Sequence, residues 1–99
     1  MAGSKIRLDP ISGAFDLRVY AVPGDPAVPL AAEMRQYHTV GRVMIAGDLA
    51  VVSGVHGTLR DSATWVDFDT ALQQRGVREV RWERHKHGGI LIKRRRIKA

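Results

Sequence analysis

The chain has no cysteine. That single absence closes three chemistries: a disulfide framework, thiolate metal ligation and a cysteine nucleophile. It also fits a reducing compartment. Long apolar runs are missing too. No stretch approaches the roughly 18 apolar residues a membrane span requires, and the opening "MAGSKIRLDP" lacks the apolar segment of a secretory signal. The expectation is a soluble, intracellular protein without membrane contact. Aromatic rings are scarce, at two Trp, two Tyr and two Phe, which limits any surface built to stack bases. Acidic residues are in deficit, ten against sixteen Lys and Arg.

What the chain does have is enough apolar residue for one core: 44% of 99 residues, which predicts a single domain spanning 1–99 without staples. The net charge of +6 is unevenly placed. Residues 75–99 carry ten Lys and Arg against Glu79 and Glu83, whereas residues 1–74 carry six basic and eight acidic residues. The whole excess lies in the last quarter. Such asymmetry points to an anionic partner, either nucleic acid or an acidic protein surface.

Periodicity supplies the elements. "KIRLD" and "AFDLRVYAV" alternate, aligning Ile6 with Leu8 and Phe15 with Leu17 and Val19, and "DPISG" between them predicts a hairpin. "PGDPAVP" is too rich in proline for regular structure. Pro29 then suits the first turn of a short helix, "LAAEMRQYH", with Leu30, Met34 and Tyr37 on one side. "VGRVMIAGDLAVVSGV" reads as a buried central hairpin turning at Gly47-Asp48. "DSATWVDFDTALQQRG" predicts a second helix. Asp61 or Ser62 caps it, Trp65, Phe68 and Leu72 form its apolar stripe, and Asp67 and Asp69 favour its positive end. Arg75 falls in its last turn and Gly76 just beyond. The end, 77–99, reads as a basic hairpin. With Gly88-Gly89 as its turn, Val80 faces Ile97, Trp82 faces Arg95 and Glu83 faces Arg94. The expected fold is therefore α+β: a mainly antiparallel sheet of about six strands, in the order hairpin-helix-hairpin-helix-hairpin, with two helices packed on one face.

No motif for catalysis emerges, and no cofactor or metal is expected. "HKH" puts His85 and His87 on one side of a strand, but two imidazoles without a carboxylate leave a metal site incomplete. "SGVHG" has the glycines of a turn, not of a nucleophile elbow. Asp67 and Asp69 are two apart on a helix and point in different directions, which excludes an acid–base pair. The binding candidates are Arg81, Trp82, Arg84, Lys86, Lys93, Arg94, Arg95, Arg96 and Lys98. Arginines on a hairpin suit sequence-independent phosphate contacts or an acidic protein patch. The plainer alternative is an edge strand charged to prevent aggregation, and the five basic residues of "KRRRIK" exceed that need.

From Leu49 to Arg84 the pattern is strand, glycine-bearing loop, capped helix, then "RGVREVRWER". This resembles the central strand–helix–strand of GNAT-type acetyltransferases, in which a helix ends in a similar Arg-Gly-Val before the next strand. The resemblance implies an acetyl-CoA loop of the form Gln/Arg-x-x-Gly-x-Gly/Ala. The corresponding "GVHGTLRDSA" lacks that spacing and puts Asp61 where the anion would sit, so no cofactor residue is carried over. The small size, basic end and "WERHKHG" segment are similar to small proteins encoded by tailed bacteriophages. That similarity implies a virion component or an accessory protein in the bacterial cytoplasm. The leading expectation is a non-enzymatic binding or assembly protein. Its rivals are a virion subunit whose tail packs on neighbouring copies, an inhibitor or adaptor of a host nucleic-acid-binding protein, and a reduced acetyltransferase.

Overall fold

The alternating segments become six strands. The computed structural model describes residues 3–57, 62–86 and 89–97, and of 83–86 and 89–93 the backbone course alone. The strands are β1 Ser4–Ile11, β2 Ala14–Gly24, β3 Tyr37–Ala46, β4 Leu49–His56, β5 Glu79–Lys86 and β6 Gly89–Arg96. They form one sheet in sequence order. Every neighbouring pair is antiparallel except β4 and β5, which run parallel and are joined through the helix α1, Ser62–Gln73.

Two features of the expected fold are overturned. The sheet is mixed, because β4 and β5 belong to different hairpins and a helical crossover between them returns the chain in the same direction. There is also one α-helix, not two. "LAAEMRQYH" makes a single 3-10 turn, Leu30–Ala32, with no buried residue, and the chain is extended again from Tyr37. The expected apolar stripe stays out of the core, since Leu30, Met34 and Tyr37 stay 43, 91 and 54% exposed. A short helix without tertiary packing is marginal in water. Here the ionic contacts of Glu33 and Arg35 decide the conformation instead.

α1 buries Phe68 and Leu72 of its expected stripe, with Thr64 buried in place of the half-buried Trp65. Phe68 and Leu72 meet Ile6, Leu17, Val19, Val43, Ala50, Val52, Val77, Val80 and Ile97 in one core, with Trp65 and Trp82 packed against it. The helix stops in a Schellman arrangement: Gly76 N–H donates to Gln73 O at 3.0 Å and Val77 N–H to Leu72 O at 3.1 Å. Gly76 has φ +78°, where any other residue is strained. Arg75 lies just past the last helical turn and donates to Ala71 O at 2.8 Å. Neither aspartate serves the helix's positive end. Asp67 accepts the Lys5 backbone N–H of β1 at 2.7 Å, and Asp69 takes the Arg95 guanidinium of β6. One helix thus touches both edges of the sheet. A flat six-stranded sheet spans about 24 Å and a helix about 10 Å, so the sheet wraps α1.

Among the described residues, the segment 25–36 covers the outer face over β1 and β2. Arg7 donates from Nη1 to Val28 O at 2.5 Å and to Glu33 Oε2 at 3.2 Å. Arg35 binds Glu33 Oε1 at 2.8 Å, donates to Ser4 O and Val22 O at 2.7 and 2.8 Å, and lies 4.1 Å from the Tyr20 ring centre. The Arg35 hydrogen bonds hold the Glu33 carboxyl down to about 2.

Candidate anion-binding face

Register decides which basic side chains share a surface. In the β5–β6 hairpin Lys86 pairs with Gly89, and the pairing continues through Trp82–Lys93, Arg81–Arg94, Val80–Arg95 and Glu79–Arg96. The expected register was two residues further on, with Arg95 against Trp82 and Arg94 against Glu83. Gly89 is itself a paired strand residue of β6 and not the second residue of the turn that "HGG" suggested. Because side chains alternate with a period of two, this shift leaves each residue on the same face. His87 and Gly88 lie outside the described residues.

Consecutive arginines therefore part company. Arg95 shares the helix face with Val80. Its guanidinium pairs with Asp69 and lies 4.6 Å from the Trp65 ring centre. Trp82, expected to take a guanidinium, packs instead against Trp65 at 5.8 Å. Arg94 and Arg96 project from the opposite face, both exposed and without an acidic partner among the described residues. Arg81 stands beside Arg94 and binds Glu79 at 2.8 Å. The side chains of Arg84, Lys86 and Lys93, the His85 side chain, His87 and Lys98 lie outside the described residues. The possible histidine metal pair therefore does too.

Carried across the sheet, the outer face has two continuous rows. One runs Met44–Val51–Arg81–Arg94 and the next Ala46–Leu49–Glu79–Arg96. A third begins Asp16–Arg42–Ser53. Met44 is 52% exposed, and Arg42 is exposed. The face thus sets Met44, Ala46, Leu49 and Val51 of β3 and β4 beside the arginines of β5 and β6, with Arg42 and Ser53 on their other side. Sequence reasoning missed Arg42, Met44 and Val51. Alternation puts Met44 and Val51 on one side of their own hairpin, but only the parallel β4–β5 pairing brings Arg81 and Arg94 beside them.

Beyond Arg42, β4 carries an extra residue where Val40 pairs with His56 and Arg42 with Ser53, a bulge made possible by Gly54 at φ +61°. It leaves a shallow cleft of about 260 Å³ lined by Asp16, Gly41, Arg42, Ser53 and Gly54. No group of three or more His, Cys, Asp or Glu suited to a metal occurs among the described residues. Nor is any described helix long and apolar enough to cross a membrane. Compared with protein-family models, curated proteins and solved structures, the chain matches none.

Proposed function

We propose that this protein is a non-enzymatic binding module whose basic C-terminal hairpin engages an anionic partner from the outer face of the sheet. The observation that carries this reading is the separation of Arg94 and Arg96 from Arg95. Arg95 is spent on the protein's own aspartate and tryptophan, whereas its two neighbours are presented to solvent with no acid of their own among the described residues. Two guanidinium groups on a strand, with Arg81 alongside, suit carboxylate or phosphate oxygens, which arginine can hold in pairs of hydrogen bonds. A single exposed pair contributes little, so useful affinity comes from the cluster.

The test is a titration of fluorescently labelled duplex DNA, single-stranded DNA and polyglutamate across a salt series. Binding to at least one of the three, with an association constant falling steeply as salt rises, is the expected outcome. No association with any of them at low salt refutes the proposal.

A further inference from the structure

Resting on that reading, we infer that the open outer face of β3–β6 is a docking surface for an amphipathic helix of a partner protein, with one flank of that helix acidic. Helix and sheet pack in two layers, and the sheet's other side is covered in part. α1 fills the inner face and the segment 25–36 covers the outer face of β1 and β2, whereas Met44 and Arg94, on the outer face of β3–β6, are exposed. A half-covered sheet is completed most simply by another helix.

The chemistry of the face selects that occupant. Met44 and Val51 sit side by side across β3 and β4, with Ala46 and Leu49 in the adjacent row. These four form an apolar strip along two strands. Arg81, Arg94 and Arg96 form a second strip alongside, over β5 and β6. Glu79, the acid within that strip, is already held by Arg81. Exposed methionine and arginine around an apolar centre are the composition of a protein interface. The four strands present about 14 Å of width, enough to seat a helix of about 10 Å parallel to them. Its apolar stripe rests on β3–β4, and its acidic flank falls over the arginines.

Nucleic acid fits less well. Single strands are gripped by stacking their bases on several aromatic rings, and on this face the described residues of β3–β6 offer Tyr37 alone, seven residues along β3 from Met44 and beside Arg18. Trp65, Phe68 and Trp82 belong to the core side, and Tyr20 is buried beneath Arg35. A second copy docked face to face sets arginine against arginine.

The experiment measures anisotropy of three fluorescein-labelled probes. The first is a peptide of about five helical turns with leucine at i, i+3, i+4 and i+7 and glutamate along one flank. The second is the same composition scrambled, and the third is single-stranded DNA. Wild type is compared with Met44→Gln and Val51→Thr, neither of which changes charge, and circular dichroism verifies that both fold. The patterned peptide is expected to bind at least about fivefold more tightly than the scrambled one, with each substitution erasing most of that difference. Equal binding of the two peptides, or DNA binding that alone survives, overturns the helix-docking inference and leaves the anionic-partner reading standing. Self-association of the protein abolished by Met44→Gln assigns the face to a second copy and likewise overturns it. Failure of every probe at low salt removes both.

Discussion

Arg94, Arg95 and Arg96 are chemically identical and adjacent, yet alternation along a strand separates their roles. Arg95 bridges β6 to α1, so Arg95→Ala removes an ion pair with Asp69 and a stacking contact with Trp65. Both are partly exposed, and the expected cost is about 1–2 kcal/mol in urea unfolding. Arg94→Ala and Arg96→Ala are expected to stay within about 0.5 kcal/mol of wild type. A loss at Arg94 equal to that at Arg95 contradicts the assignment. Glu33 sets a different test. Hydrogen bonds from Arg35 lower its folded pKa to about 2, so the folded state holds fewer protons than the unfolded one in acid. Its contribution is complete above its ordinary value of 4.5 and is lost as pH falls from there through about 2. Melting temperature followed across that window is expected to fall less steeply in Glu33→Gln, with the two proteins converging at the acid end. Parallel curves refute the role given to the carboxylate.

At the scale of elements, α1 is the keystone, since its apolar stripe closes the core and its two aspartates reach both sheet edges. Phe68 is 1% exposed, and Phe68→Ala is expected to cost about 3–5 kcal/mol by chemical denaturation. Gly76→Ala tests the stop signal separately. Apart from its chain neighbours, no atom of the described residues lies within 4 Å of the added methyl, so the expected loss of about 1–2 kcal/mol is backbone strain. This helix was legible in the sequence because stripe and glycine stop agree. The first hairpin was legible from alternation and the second from two β-rich runs around Gly47-Asp48, and Gly13 and Gly47 do adopt φ of +74° and +62°. The second is not buried on both faces, however, since Met44 is 52% exposed. The segment after Pro29 was misread. Its three apolar residues are spaced for a helix, but what holds it is a carboxylate shared by Arg7 and Arg35, a contact between distant parts of the chain that periodicity does not encode. The parallel β4–β5 pairing was hidden for a related reason. Each hairpin is local, and the way two hairpins adjoin is not.

For the whole molecule, the +6 charge reads differently once folded. The sequence pointed to a basic C-terminal end, and the strands distribute it over two faces, one sealed by the helix and one open. The apolar strip beside the open arginines was invisible without the sheet order. Charge alone favours many weak contacts, so the decisive comparison holds charge constant and moves its position. Arg94→Gln with Arg96→Gln removes two charges from the open face. Arg75→Gln with Arg78→Gln removes two from the link between α1 and β5. Dissociation constants for labelled polyglutamate and DNA, measured in one low-salt buffer, are expected to rise about tenfold or more for the first pair and only slightly for the second. Equal weakening by the two pairs contradicts the account, because it makes the arginines of β6 no more than part of a diffuse positive charge.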